Sequence, residues 1–292
     1  MRPLPVLSVS GVAARSVAAL NCVAGHHDRT GTLTSSTHPL DLTGHVALVT
    51  GGNSGVGIGM AEGLARAGAD VCIWGRNPEK NKAAREQLAV HGHRVEAWQV
   101  DIGEEDQVVD GFNRLVAEFG ALNSCFANAA LANSMTSPRY LDSTLEQWRE
   151  LMRVDLEGTY VTTREAARHM VEQGTGGSIV LTSSVAALFG SPREQAYATA
   201  KSGLLALSRS LAVEFGRYGI RSNALLPAWT RSPIFDGWLE NPGVGEKLMA
   251  RIPMRRFGMP EDWAGIAVYL ASSASSFHTG DSMRIDGGFG VF

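Results

Sequence analysis

The chain has 292 residues, of which 44% are hydrophobic and 19% are charged, and its formal net charge is -3. A chain of this size buries roughly three quarters of its unfolded surface, so intrinsic disorder is excluded. The charge balance provides no basic surface for nucleic acid, and the longest uncharged stretch is too rich in Gly and Ser for a membrane span. The three cysteines are widely spaced with no histidine cluster beside them, so we expect neither a disulfide framework nor a metal site.

The first 40 residues differ from the rest of the chain. No acidic residue appears before Asp28, and Arg2 and Arg15 are isolated among Ser, Ala, Gly and short apolar groups. A mitochondrial-type presequence is one interpretation; a disordered leader and an upstream start codon are the others. We predict an N-terminal extension over residues 1–40 and one folded domain over residues 41–292. The expected compartment is the cytoplasm, with mitochondrial targeting as the alternative.

From residue 45 onward, short apolar runs alternate with helical patterns, which is typical of a parallel sheet with crossover helices. Several runs are continuously apolar, as expected where helices cover both faces of a sheet. The sequence therefore predicts an α/β fold with a single doubly wound, Rossmann-type sheet of seven parallel strands. The predicted strands are 46–50, 70–74, 95–100, 122–127, 178–182, 221–226 and 282–285.

A glycine-rich turn follows the first predicted strand. The strand leads directly into the sequence GGNSGVG at residues 51–57, and a helix is predicted from about Val56 to Ala67. Glycine is needed here because a side chain would hold the backbone away from a pyrophosphate, while the helix N-terminus offers N–H donors to the anion. An ordinary tight turn is the alternative, but the position on the first strand of an alternating pattern favours dinucleotide binding.

The end of the second predicted strand favours NADP over NAD. The position that would carry an acid for a free ribose 2′-hydroxyl is Gly75, and the next residue is Arg76, whose guanidinium could bind a 2′-phosphate. A surface arginine that opens a loop is the alternative. Asp101 and Ile102, at the end of the third strand, lie where an adenine could be contacted, although Asp101 could equally cap the next helix.

Tyr197 is the only one of the five tyrosines with a lysine four residues later, which places Tyr197 and Lys201 on one face of a helix. The chain has only four lysines, yet this one lies in a segment of small and apolar residues; an exposed lysine is the alternative. The pKa of a tyrosine is about 10. A neighbouring ammonium group and an oxidised nicotinamide both favour its ionised form, so the pair can act as general acid and base.

Ser184 lies thirteen residues before Tyr197, just past the carboxyl end of the fifth predicted strand. Ligands of an open parallel sheet bind at that edge. We expect the Ser184 hydroxyl to hold the reacting oxygen of a substrate by a hydrogen bond. A loop serine that caps the chain reversal is the alternative.

Residues 41–292 resemble the short-chain dehydrogenase/reductase family. The motifs that carry the resemblance are TGGNSGVG (50–57), FANAA (126–130), VDLEG (154–158), LTSSVAA (181–187), YATAK (197–201), NALLPAW (223–229), RRFGMPEDWAGIAVYLAS (255–272) and GDSMRIDGG (280–288). The resemblance implies a nicotinamide-dependent oxidoreductase, usually a homotetramer, with Ser184, Tyr197 and Lys201 in the catalytic roles given above. It also implies that Asp155 is the fourth catalytic position, which supports a water-linked proton path to the lysine largely through its backbone carbonyl.

The predicted cofactor is NADP, with NAD as the alternative. The predicted dinucleotide contacts are Gly51, Asn53, Ser54, Gly55, Val56, Gly57, Arg76, Asp101, Ile102, Asn128, Ala129, Tyr197, Lys201, Pro227, Ala228, Thr230 and Ser232. The sequence departs from the family pattern at several positions. Only Asn128 remains of a usual asparagine pair, and Asp155 stands where asparagine is common. Ala228 replaces a glycine after proline, and Ser232 replaces a threonine. We expect these changes to affect rate and cofactor fit more than the class of reaction.

The segment from Trp229 to Met254 is rich in large apolar residues and is interpreted as a lid over the site. Its aromatic residues indicate a substrate with an apolar body, but a subunit contact or a bound nicotinamide would explain them equally well. The expected reaction is reversible hydride transfer between NADP(H) and a small secondary alcohol or ketone. The alternatives are an NAD-preferring sugar or polyol dehydrogenase and a catalytically silent dinucleotide-binding protein.

Overall fold

All seven predicted strands are present in the computed structural model, which describes residues 38–131 and 138–291. Their bounds are β1 Val46–Thr50, β2 Asp70–Gly75, β3 Val95–Gln99, β4 Ser124–Ala127, β5 Gly177–Thr182, β6 Ile220–Pro227 and β7 Ser282–Ile285. They form one parallel sheet in the order β3-β2-β1-β4-β5-β6-β7. The order reverses between β1 and β4, and such a switch point opens a crevice at the carboxyl edge of the sheet.

Helices cover both faces of this sheet. In the described part of the chain they are α1 Gly55–Arg66, α2 Pro78–Ala89, α3 Glu105–Phe119, α4 Leu145–Met152, α5 Thr159–Gln173, α6 Gln195–Phe215, α7 Pro233–Leu239, α8 Val244–Ala250 and α9 Ala264–Ala271. A π-helical turn, Arg153–Gly158, joins α4 to α5. Helices α3, α5 and α6 pack on one face, and α1, α2 and α9 pack on the other. The predicted doubly wound, Rossmann-type α/β fold is therefore confirmed.

The side chains of β1 show why four of its five residues are apolar. Leu48 points into the core beneath α3 and α5, together with Trp74, whose ring meets Phe112 edge-on at 5.0 Å. Ala47 and Val49 point into the opposite core beneath α1. Because both faces of the strand are buried, no position along it can be polar without a hydrogen-bond partner.

Most strand boundaries agree with the prediction to within one residue. The fourth strand was predicted to begin at Leu122, but β4 begins at Ser124, because the Leu122 N–H donates to the Gln173 side chain at 2.9 Å instead of pairing in the sheet. Residues 1–37 lie outside the described residues, so the extension over residues 1–40 stays a prediction. Within the described ranges, no helix is long and apolar enough to cross a membrane, and no group of three or more His, Cys, Asp or Glu side chains is placed to hold a metal ion.

Candidate active site

The glycine turn after β1 and the N-terminus of α1 form a backbone cradle at the carboxyl edge of the sheet. Gly51 has a φ of +65°, and a Cβ atom on it would lie 2.9 Å from the Ala129 Cα. A Cβ atom on Gly57 would lie 2.2 Å from the Gly51 carbonyl oxygen. The N-cap residue, Ser54, makes no side-chain hydrogen bond to the helix, so the N–H donors of the first turn are left for a ligand. This cradle fits a pyrophosphate.

A cavity of about 420 Å³ extends from this cradle along the ends of β2, β4, β5 and β6. We call it the dinucleotide cavity. Every residue predicted to contact the dinucleotide lines it, from Gly51 in the turn to Ser232 beyond β6. The structure therefore brings all of them together, and their contact with a bound dinucleotide stays a prediction.

Arg76 and Asp101 face each other at the β2 end of the dinucleotide cavity, with the guanidinium 3.8 Å from the carboxylate. Asp101 also accepts the Gly103 N–H at 2.9 Å, so it stabilises the turn before α3 while lining the cavity. Lys80 lines the same end and was not predicted. A signal existed in its position in the first turn of α2, because a cation there opposes the helix dipole unless an anion binds nearby.

Gly75 cannot be replaced by an acidic residue without local rearrangement. A Cβ atom at this position would lie 2.2 Å from the Asn53 amide nitrogen and 2.5 Å from the Asn81 amide oxygen. Asn53 donates to Asn81 at 2.7 Å, and Asn81 donates to the carbonyls of Gly75 and Trp98. This hydrogen-bonded pair fills the space in which the side chain of an acid would have to begin.

Helix α6 presents Tyr197 and Lys201 to the dinucleotide cavity. The Lys201 side chain is 2% exposed, so the alternative of a solvated lysine is wrong. Its Nζ lies 5.5 Å from the centre of the Tyr197 ring and donates to the Thr182 carbonyl at 3.2 Å. A buried ammonium is costly without partners, so these contacts hold a positive charge beside the phenol.

Ser184 fits both interpretations that the sequence left open. Its hydroxyl oxygen accepts the Ala186 N–H at 3.1 Å and so caps a short 3-10 turn after β5. The same hydroxyl hydrogen-bonds the Tyr197 phenol and lines the cavity. The cap thus fixes the direction in which the hydroxyl is offered to a ligand.

The environment of Tyr197 keeps its phenol protonated. Burial raises the pKa of Tyr197, whereas the Lys201 charge and the Ser184 hydrogen bond lower it to a smaller extent. The carboxylates of Asp155 and Glu194 add to the rise. Lys201 lowers the pKa of Tyr197, as expected, but burial raises this pKa by more. A neutral phenol is the form that can donate a proton to a carbonyl.

Asp155 lies in the π-helical turn and is completely buried. Its carboxylate accepts the Leu131 N–H at 2.7 Å and lies 3.5 Å from the Lys201 ammonium. Burial raises the pKa of Asp155, while Lys201 and the Leu131 N–H lower it. The Asp155 carbonyl accepts the Thr159 hydroxyl at 3.1 Å. The aspartate therefore adds a direct charge contact with the lysine to the carbonyl role that the resemblance implies.

A second cavity, of about 340 Å³, adjoins the first and shares Ser184 and Tyr197 with it. We call it the aromatic cavity, after four rings in its lining. They are Phe189, Trp229, Phe235 and Phe289. Trp229 and Phe235 come from the predicted lid, where the chain forms α7 and α8. Phe189 and Phe289 were not predicted, because each stands in an irregular segment with no periodic pattern.

The rings of the aromatic cavity contact one another. Trp229 stacks on Phe235 at 5.6 Å between ring centres, and it also meets Phe289 edge-on at 6.4 Å. Phe289 in turn meets Phe189 edge-on at 6.3 Å. Such contacts contribute about 0.5–1.5 kcal/mol each beyond burial, so the four rings form a preformed apolar wall.

Comparison with known proteins agrees with this geometry. The family model described as enoyl-(acyl carrier protein) reductase matches residues 51–290. The chain is 36% identical over 250 residues to a 2,5-dichloro-2,5-cyclohexadiene-1,4-diol dehydrogenase of Sphingobium indicum, which covers 85% of this chain and 98% of that protein. It is also 36% identical over 244 residues to a cis-4-hydroxycyclohexanecarboxylate dehydrogenase of Sinomonas cyclohexanicum, covering 84% of this chain and 96% of that protein.

A solved structure shows the same fold at high similarity. It is a gluconate 5-dehydrogenase from Burkholderia cenocepacia in complex with NADP and tartrate, with 30% identity and a TM-score of 0.80. The match covers 86% of this chain and 97% of that one. The chain belongs to the short-chain dehydrogenase/reductase family. It is an NAD(P)-dependent oxidoreductase that acts on CH–OH groups.

Proposed function

We propose that the protein transfers a hydride reversibly between NADP(H) and a secondary alcohol or ketone with an apolar, cyclic body. One observation carries the proposal: Tyr197 and Ser184 line both cavities, and Lys201 lies directly behind the phenol. Ligands that occupied the two cavities would meet at these side chains. The roles given to the three residues follow from this arrangement.

The side chains of the site bind the substrate oxygen and transfer its proton. When bound, the nicotinamide supplies or accepts the hydride. The Ser184 hydroxyl and the Tyr197 phenol donate hydrogen bonds to a carbonyl oxygen, and Tyr197 gives that oxygen its proton during reduction. During oxidation the phenolate form of Tyr197, which the Lys201 ammonium stabilises, takes the proton from the hydroxyl and becomes the neutral phenol.

Asp155 completes this arrangement by holding Lys201 in place. An ammonium has three N–H donors. One Lys201 donor is used by the Thr182 carbonyl, and the Asp155 carboxylate lies 3.5 Å from the ammonium, so a donor remains for a ribose hydroxyl. We assign Asp155 to the support of Lys201 and of proton relay. Its substitution would therefore change the pH dependence of the reaction more than the binding of substrate.

NADP is the proposed cofactor because of charge and space at the β2 end of the dinucleotide cavity. Arg76 and Lys80 bring two cations to that end, and Asp101 is the acidic residue in the lining beside them. The Asn53–Asn81 pair leaves no room for an acid at position 75, where one would bind the ribose 2′-hydroxyl of NAD. A 2′-phosphate fits a site with two cations and with no acid at position 75.

Cofactor preference is tested by titrating NADP and NAD into the Arg76→Ala and Lys80→Ala variants by calorimetry. Each substitution should weaken NADP binding by about tenfold and change NAD binding by less than about twofold, because a charge-assisted contact to phosphate is lost. Lys82→Ala is the matched control, since Lys82 is exposed on α2 outside the cavity lining. Unchanged NADP affinity in a variant that carries both the Arg76→Ala and the Lys80→Ala substitution would contradict the choice of NADP.

The proposed substrate class rests on the four rings of the aromatic cavity, with support from the relatives. Flat aromatic walls and a small volume suit a six-membered ring better than an extended polar chain. Two of the relatives are named for alcohols of six-membered rings. The solved relative holds tartrate, a hydroxy acid, which keeps sugars and polyols as the second candidate.

A panel of substrates separates these candidates. Nicotinamide absorbance is followed with cyclohexanols, open-chain secondary alcohols, sugars and polyols, each with NADP and NAD. We expect the highest kcat/KM for a cyclic alcohol with NADP. Highest activity on a polyol with NAD would select the alternative dehydrogenase. Cofactor binding with no turnover of any class would instead select the catalytically silent protein.

We also propose a homotetramer. Supporting it, Val213 on α6 is 86% exposed and Tyr160 on α5 is 49% exposed, so two helices of one face carry uncovered apolar side chains. Such residues are typical of a face that packs against another subunit. Light scattering coupled to gel filtration should give about four times the mass of the chain, and Val213→Glu should reduce it.

The proposed boundary of the catalytic domain lies near residue 41. Leu42 is 2% exposed and packs into the core beneath α1, so the folded unit includes it. A variant without residues 1–37 should retain kcat/KM within about twofold, since none of the site residues precedes β1.

A further inference from the structure

Arg251 is the cation in the lining of the aromatic cavity. It follows the last residue of α8, and its guanidinium carbon lies 4.4 Å from the centre of the Phe289 ring. Its side chain is exposed, so it stands on the solvent side of a lining that is otherwise largely apolar. A charged group placed against an apolar wall is informative because it selects what can enter.

The Arg251 guanidinium has unused donors. Among the residues that the structure describes, no carboxylate lies within 4.0 Å of it, and none accepts a hydrogen bond from its side chain. Two neighbouring arginines are engaged: Arg255 donates to the Ala250 carbonyl, and Arg256 forms an ion pair with Asp262. Stacking on Phe289 uses the flat face of the guanidinium and leaves its edge free for a bidentate acceptor.

The lining of the aromatic cavity contains an acidic and a basic side chain. The acid in its lining is Glu194, which acts electrostatically on Tyr197 and therefore lies toward the phenol. An anionic group would be repelled there and attracted by Arg251. The two charges favour a substrate whose reacting oxygen lies at Tyr197 and whose anionic group points toward Arg251 and solvent.

We propose that Arg251 is a specificity residue that binds a carboxylate carried by the cyclic alcohol or ketone substrate. The proposal rests on the proposed function, whose substrate class it narrows. The guanidinium edge takes the carboxylate by paired N–H donors, and the four rings enclose the ring of the substrate between this carboxylate and Tyr197. A substrate of the same shape with a neutral group in place of the carboxylate loses the charge-assisted contact.

Calorimetry with unreactive ligands tests the proposal. Cyclohexanecarboxylate and cyclohexanecarboxamide are titrated into the NADP-saturated protein and into its Arg251→Met, Arg251→Lys and Arg66→Gln variants. Wild type should bind the carboxylate at least about tenfold more tightly than the amide. This preference should fall to less than about twofold in Arg251→Met and persist in part in Arg251→Lys. Arg66→Gln is the matched control, because Arg66 is exposed at the far end of α1.

The amide reports whether the cavity survives substitution. Equal affinities in wild type, or an unchanged preference in Arg251→Met, would overturn the proposal. If Arg251→Met binds neither ligand, Arg251→Lys decides: a preference of several-fold supports the carboxylate site, and its loss contradicts it. Turnover of the hydroxylated forms of the carboxylate and of the amide distinguishes failure of the Arg251 proposal from failure of the proposed reaction. If the neutral alcohol is oxidised and the carboxylate alcohol is not preferred, only the role of Arg251 is contradicted. If the carboxylate ligand binds preferentially but neither alcohol is turned over, only the proposed reaction is contradicted.

Discussion

The dinucleotide cavity and the aromatic cavity share Tyr197 and Ser184 but are assembled in different ways. The dinucleotide cavity is built mainly from short motifs that follow strands, such as the turn 51–57 after β1 and residues 128–129 after β4. The aromatic cavity is built from single side chains of irregular segments, such as Phe189 and Phe289, which are 100 residues apart.

This difference shows where chemistry is constrained in the molecule. A pyrophosphate requires close approach of the backbone, and only glycine at particular turn positions allows it. A substrate body requires complementary shape, which many combinations of side chains can provide. Variants confined to one cavity should therefore have separable effects, and a variant at the shared wall should affect turnover without abolishing either binding event.

The largest effect is expected for Tyr197→Phe at the shared wall. Loss of the phenol proton should lower kcat/KM by about a thousandfold, within the range for removal of a general acid or base. NADP affinity measured by calorimetry should change by less than about threefold, since the ring is kept. Tyr218→Phe serves as the control, because Tyr218 lines neither cavity and its hydroxyl accepts a hydrogen bond from the neighbouring Arg217. Turnover that survives in Tyr197→Phe would show that another group moves the proton.

Gly57→Ala should affect the dinucleotide cavity alone. The added Cβ would lie 2.2 Å from the Gly51 carbonyl and 2.7 Å from the Asn128 amide, so the turn must shift. We expect the variant to bind NADP at least about tenfold more weakly than wild type does. Without cofactor, the variant and wild type should bind cyclohexanecarboxylate equally well. Gly265→Ala in α9 is the control, because a Cβ there meets no atom within 4 Å. Equal loss in both variants would point to general destabilisation.

Asp155→Asn should shift the pH dependence of the shared wall. The carboxylate of Asp155 raises the pKa of Tyr197, because a negative charge nearby disfavours the phenolate. Replacing it with a neutral amide should therefore move the rising limb of kcat/KM for oxidation toward lower pH, by about half a unit. The pH–rate profile is the measurement. A shift toward higher pH would mean that Asp155 acts mainly through the charge of Lys201.

The smallest effect on activity is expected at the opposite edge of the sheet, where His45 precedes β1. Burial, with the charge of Arg221, lowers the pKa of His45 to about 4. The unfolded chain takes up a proton below about pH 6.5 while the folded chain does not, so stability is present above that pH and is lost as pH falls toward 4. About 2 kcal/mol of the free energy of unfolding is lost in this way between pH 7 and pH 4.5.

His45→Gln should remove this part of the acid sensitivity. The free energy of unfolding, measured with urea at pH 7 and pH 4.5, should fall less in the variant than in wild type. NADP affinity at pH 7 should be unchanged, because His45 lines neither cavity. An equal fall in both proteins would place the acid sensitivity elsewhere.

Much of the fold and of the dinucleotide cavity was predictable from the sequence. Continuous apolar runs predicted strands that are buried on both faces, and the structure confirms them in Leu48 and Val49 of β1. Residues predicted as cofactor contacts all line one cavity. Apart from Tyr197 and Lys201, which stand on α6, they follow strands, and parallel strands end at the same edge. Lys80 was missed, although its place in a first helical turn opposed the dipole.

The aromatic cavity was only partly predictable. Trp229 and Phe235 were noticed as apolar residues of a predicted lid, but the sequence left their partner open. Phe289 was missed because its segment, at the end of the chain, gives no pattern that would place it beside Phe189. The contact between Asp155 and Lys201 also depends on the π-helical turn. No local sequence pattern predicted this turn.

The sequence alone determined the order of strands and helices along the chain, the backbone turn that fits a pyrophosphate, and the placement of Tyr197 and Lys201 on one face of α6. These features depend on local periodicity, glycine geometry and helical spacing. Each of these patterns is contained in a short continuous stretch of sequence. Tertiary structure decided how deeply Lys201 is buried, how close it lies to Asp155, and which rings and which arginine enclose the aromatic cavity. The physical reason is that burial and long-range contact arise only when distant segments pack together.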